Sequence, residues 1–152
     1  MFAVKSILRW WGIVGKKTYP KAREILITCD CGGSNGYRVR MWKYQLQQFA
    51  NRTKHKIHVS HFPPGTSKWK KVEHRLFCYI SKNWQGKPLI DIETAVKLIG
   101  RTTTKKGLKV IREQDDHIYE LAQKVTDEDF DAVKIRKIGK HGEWNYVISP
   151  SE

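Results

Sequence analysis

Two short runs rich in β-formers, EILIT at 24–28 and KIHVSHF at 56–62, flank one stretch of helical periodicity at 40–53, and that spacing leaves few folds open. Between the runs, Trp42, Leu46, Phe49 and Ala50 recur every three or four residues, the stripe of a helix with one buried face. A strand, a helical crossover and a second strand make parallel neighbours the default, with helices laid against the sheet. Residues 3–14 extend the pattern with Val4, Ile7, Leu8, Trp11 and Val14 on one helical face, and DIETAVKLIG at 91–100 reads as a helix capped by Asp91. The expected class is therefore α/β. Beyond Thr104 the pattern thins to a strand over Leu108–Ile111, a short helix over Ile118–Lys124, a capped helical turn in TDEDFDAV at 126–133 and a last strand in EWNYVI.

TSKWKKVEHRLF at 66–77 carries an acid where a hydrophobe belongs. With Ser67 as cap, Trp69, Val72, Leu76, Phe77, Ile80 and Trp84 form one apolar face of a helix reaching about Trp84, and Glu73 lies inside that stripe. Asp30 is the second unusual acid. It follows EILIT and opens the glycine loop CDCGGSNG, so it is deposited at the carboxyl end of a strand, where open parallel sheets build their sites.

Charge narrows the partner. The chain of 152 residues carries a net +14, unevenly divided: residues 1–112 hold 24 Lys and Arg against 5 Asp and Glu, whereas residues 113–152 hold 5 against 10. A basic body followed by an acidic segment divides the chain into 1–112 and 113–152, the second expected to pack on the first. Such an excess of Arg and Lys interleaved with Trp points to nucleic acid. Arg38, Arg40, Lys43, Lys68, Lys70, Lys71 and Arg75 are the expected DNA track, with ordinary solvated charge as the plainer alternative. No run of about 18 apolar residues is present, so no membrane span is expected. Three cysteines (Cys29, Cys31 and Cys78) make no disulfide framework and fit a reducing cytoplasm.

Two converging carboxylates in a basic protein make a plausible site for a hard divalent cation. Each acid also has a structural reading: Asp30 as turn chemistry before glycine, and Glu73 as the partner of Lys70, Lys71 or Arg38.

LITCDCGGSNGYRVRMWKYQLQQFA, HFPPGTSKWKKVEHRLFCYISKNWQGKPL, LIGRTTTKKGLKV and HGEWNYVISP together resemble the C-terminal part of a DDE transposase of the Rhodopirellula-type insertion-sequence group. The likeness covers nearly the whole chain. It implies a partial ribonuclease H-like fold, with parallel strands flanked by helices, the upstream strands missing, and a small α+β C-terminal extension. It also implies metal-dependent DNA strand cleavage and transfer with Mg²⁺ or Mn²⁺, with Asp30 and Glu73 as the second and third catalytic and metal-binding acids. The first acid of that pattern lies on a strand upstream of this chain. The expectation is then a truncated transposase, weak in metal binding and inactive by itself, whose strand ending at Asp30 has an unpaired edge. Implied partners are transposon-end and target DNA, a further copy of the chain or a full-length transposase, in a bacterial cytoplasm at the nucleoid.

The rival from another class is a non-catalytic basic DNA-binding module or an inhibitor of a full-length transposase, which shares the charge and needs no acid pair. The CDC pair, lacking further ligands at matched spacing, reads as small buried residues and not a metal-thiolate site. His61 and His74 read as hydrogen-bonding residues, GGSNG as a plain loop, and Trp10, Trp11 and Trp42 as core.

Overall fold

The computed structural model describes residues 2–119 and 124–151, apart from the side chain of Ser67. Two compact units emerge, Met1–Gly65 with Tyr119–Glu152, and Thr66–Ile118. The acidic segment thus contributes most of its length to the same unit as the N-terminal strands.

In the first unit, helix α1 (Phe2–Trp10) runs through a π-helical turn (Trp11–Gly15) into α2 (Lys16–Thr18). A Cβ on Gly15 would collide with the ring of Trp11, so a residue without a side chain is required where that indole turns inward. Trp11 is buried edge-on against His55, at 4.5 Å between ring centroids. Trp10 is 43% exposed instead of in the core, because neighbouring positions on a helix face different directions.

Strand β1 (Glu24–Asp30) lies parallel to β2 (Lys56–Phe62), from Glu24 opposite Lys56 to Asp30 opposite Phe62. Helix α3 (Arg40–Thr53) makes the crossover, as the periodicity predicts. The sheet is not all parallel. Strands β3 (Ile135–Lys137) and β4 (Asn145–Ile148) form an antiparallel pair, and β4 runs antiparallel to β2, giving the order β1-β2-β4-β3 with β1 at one edge. The C-terminal segment is built into the sheet.

Alternation decides what faces what. Ile57, Val59 and His61 of β2 are buried beneath Trp42, Leu46, Phe49 and Ala50 of α3, with Tyr146 and Ile148 of β4 completing the core. Each such apolar side chain contributes roughly 1.5–3 kcal/mol by leaving water. Along β1 the same rule half-buries Ile25, Ile27 and Cys29 and leaves Leu26, Thr28 and Asp30 exposed on the opposite face. Helix α6 (Asp127–Asp131) is capped by Thr126, whose Oγ1 accepts from the amide of Asp129 at 3.1 Å.

The second unit is helical. A 3-10 turn (Ser67–Trp69) precedes a π-helical turn (Glu73–Phe77), which continues as α4 (Cys78–Trp84); α5 (Ile92–Gly100) follows, with the carboxylate of Asp91 accepting from the Thr94 amide at 2.6 Å. The expected apolar stripe does not close over: Trp69, Val72 and Phe77 are 56%, 42% and 44% exposed. Trp69 sits in the 3-10 turn, separated from the following helix by Lys70, and the extra residue in the π turn rotates later side chains by about 100° relative to an uninterrupted α-helix, so the stripe is not continuous. The strand expected over Leu108–Ile111 is an unpaired segment after a threonine-lined turn, where the Thr103 hydroxyl donates to the Leu108 carbonyl at 3.0 Å. Two expectations, the Ser67 cap and most of the short helix over Ile118–Lys124, fall outside the described residues.

Candidate functional site

The carboxyl ends of β1 and β2 carry a chain of buried hydrogen bonds. His61, opposite Cys29 in the register, places Nδ1 2.8 Å from the carbonyl oxygen of Asp30. A carbonyl only accepts, so Nδ1 bears the proton and Nε2 is left as an acceptor. Nε2 lies 3.2 Å from the Tyr146 hydroxyl, which in turn receives the Trp42 indole N–H at 3.1 Å. The order Trp42 to Tyr146 to His61 to the Asp30 carbonyl therefore has every donor matched to an acceptor. Burial holds the imidazole pKa below its ordinary 6.5, the bond to Asp30 acts in the other direction, and the Lys43 charge lowers it further. His61 is 3% exposed and stays neutral at physiological pH.

Around this chain the thiols are kept protonated. Burial pushes Cys29 up to about 12, with the charge of Asp30 and then Cys31 adding to it. Cys31 is also raised, by burial and then by Asp30 and Glu143. A thiolate metal centre at CDC is thereby disfavoured. Among the described residues, no three His, Cys, Asp or Glu side chains form a set able to hold a metal ion.

Asp30 itself is exposed, with its backbone fixed by His61 and its side chain on the sheet face opposite α3. Three expected DNA-track residues lie in the same unit. Arg40 is bound to Asp127 at 2.7 Å and lies 4.5 Å from the ring centre of Phe130. Arg38 lies over Tyr37 at 5.1 Å and Lys43 over Tyr146 at 5.4 Å. Burial, and then the neighbouring Lys137, depress the pKa of Lys43.

The second unit holds Lys68, Lys70, Lys71, Glu73 and Arg75. Glu73 opens the π-helical turn and is half-buried, with Oε1 3.1 Å from the ammonium of Lys70. The Lys70 partnership weighed from sequence is therefore the one observed. His74 donates from Nε2 to the Lys68 carbonyl at 2.8 Å, tying the 3-10 turn to the π turn. Lys68, Lys71 and Arg75 are exposed.

The sequence profile of the Rhodopirellula transposase DDE domain matches residues 1–150. The chain belongs to that family. No curated protein and no solved structure matches it. A four-stranded sheet with parallel and antiparallel neighbours and flanking helices is consistent with such a DDE domain. No described helix is long and apolar enough to cross a membrane. One feature of this DDE-domain chain escaped sequence reasoning. The roles of Tyr146 and Trp42 need a contact between residues 104 positions apart. The position of His61 was available, because alternation in KIHVSHF puts it on the buried face with Ile57 and Val59.

Proposed function

We propose that the chain is part of the DNA strand-cleavage and strand-transfer core of an insertion-sequence transposase, with Asp30 and Glu73 as catalytic acids that hold Mg²⁺ or Mn²⁺. The observation that carries this reading is the family match over residues 1–150. The donor chemistry supports it, since both side chains offer hard carboxylate oxygens. When bound, such an ion polarises the phosphoryl group and lowers the pKa of an attacking water or 3′-hydroxyl. The residues have separate tasks. Asp30 and Glu73 bind the ion, His61 keeps the Asp30 backbone at one position, and the Arg and Lys track attracts the phosphodiester backbone of transposon-end and target DNA. The first acid of the triad implied by the resemblance has no counterpart assigned among these residues. The chain by itself is accordingly proposed to bind the ion weakly and not to transpose.

The Lys70–Glu73 ion pair favours a second reading, a non-catalytic DNA-binding module or an inhibitor of a complete transposase, because Lys70 supplies a cation to that carboxylate. Labelled transposon-end DNA incubated with purified protein and Mn²⁺ separates the two. Under the first reading, binding is strengthened by Mn²⁺ and loses that response in Asp30→Ala and Glu73→Ala, without strand cleavage. Robust cleavage by the chain alone would overturn its inactivity. Binding unchanged by EDTA and by both substitutions would overturn the metal site and leave the second reading.

A further inference from the structure

The sequence assigns residues 113–152 an acidic character, yet two of their five cations face the start of α3. Arg136 and Lys137 of β3 line an open groove of about 890 Å³ whose other wall carries Arg38, Arg40 and Lys43. Asp131 and Glu143 also line it, so cations outnumber carboxylates five to two. Arg40 is already engaged by Asp127, which lies on α6. Lys43 and Lys137 are placed differently. Lys137 is the register partner of Tyr146, and Lys43 lies over the Tyr146 ring, near enough to Lys137 for that charge to help lower the Lys43 pKa. The aliphatic stem of Lys137 packs where a side chain at Gly142 would sit, which holds it in place. Desolvating one lysine beside another is unfavourable until an anion comes between them, and the lowered pKa of Lys43 agrees with that cost.

We propose that this groove holds the phosphodiester backbone of a DNA strand, with Lys43 and Lys137 sharing a phosphate. The inference rests on the transposase reading and adds a second contact surface to it. Tyr37 and Phe130 give the groove aromatic walls on which a sugar or an unstacked base can lie. Its position also gives a direction to the strand: Tyr146 lines the groove, its hydroxyl bonds His61, and His61 bonds the Asp30 carbonyl. A strand in the groove is therefore one residue removed from the end of β1.

Fluorescence anisotropy of the full chain with labelled single-stranded and duplex DNA, between about 50 and 200 mM salt, tests this. Lys43→Gln with Lys137→Gln should lower the dependence of log affinity on log salt by about 2, close to one per phosphate-binding charge. Lys16→Gln, on α2 and away from the groove, should lower neither the affinity nor the slope to that extent. Relief of the lysine pair should leave the melting temperature of the double variant at or above that of the parent, so a lost slope is not a lost fold. An unchanged slope in the double variant, with the parent binding DNA normally, would overturn the groove and leave the transposase reading intact. A parent chain that binds no DNA would overturn both.

Discussion

The unit bearing Asp30 and the unit bearing Glu73 are held together by different means. In the first, Trp42, Leu46, Phe49, Ile57 and Ile148 are all at most 2% exposed, and the polar groups among them are bonded to one another. In the second, Leu98 at 7% is the described apolar side chain that is buried, while Ile90 and Ile92 are 78% and 64% exposed. Its helices are joined by local bonds such as that from the Asn83 amide to the Leu98 carbonyl at 2.5 Å. Few buried contacts mean low local stability. One acid of the proposed pair thus stands on a fixed strand end, and the other begins a π-helical turn, a feature common where side chains are aimed for function.

The contrast can be broken most forcefully at Trp42. Trp42→Ala removes the largest fully buried side chain and the donor to Tyr146, and should cost about 3–5 kcal/mol in denaturant unfolding. A loss below about 1 kcal/mol would mean that the first unit does not depend on this core. The corresponding apolar truncation in the second unit, Phe77→Ala at a 44% exposed position, should cost well under half as much.

The comparison sharpens at His61. Its folded pKa is depressed below the ordinary 6.5, so the unfolded chain takes up this proton first as pH falls. Stability then declines below about pH 6.5 and is retained above it. His61→Leu should flatten that decline, while removing the acceptor for Tyr146 costs about 1–3 kcal/mol at neutral pH. Melting curves from pH 5 to 8 that are parallel for parent and variant would show that the imidazole is not held neutral. The smallest effect is expected at Lys70→Gln. Its partner Glu73 is 39% exposed at the side chain, so the pair contributes about 0.5 kcal/mol or less to stability.

What the sequence disclosed follows the range of the physics. α3 was legible because about four turns of hydrophobic spacing report on its own buried face, and β1 and β2 because alternation and flanking turn residues bound them. Asp30 at a strand end was legible for the same local reason. The insertion of β4 beside β2 was not, since register between Ile57 and Ile148 is set by packing across 91 positions. β3 escaped because three residues, Ile135, Arg136 and Lys137, are too few to show a period, and charge counting assigned them to an acidic extension. The π turn at Glu73 escaped because a spacing of three or four describes an ideal helix and carries no signal for one extra residue.

Calorimetric titration of Mn²⁺ into the full chain with transposon-end DNA present tests the central claim most directly. The parent should bind the ion, and Asp30→Ala and Glu73→Ala should each weaken that binding by more than about tenfold, with DNA affinity in EDTA unchanged. Equal Mn²⁺ affinity in the parent and both variants would contradict the assignment of these two acids.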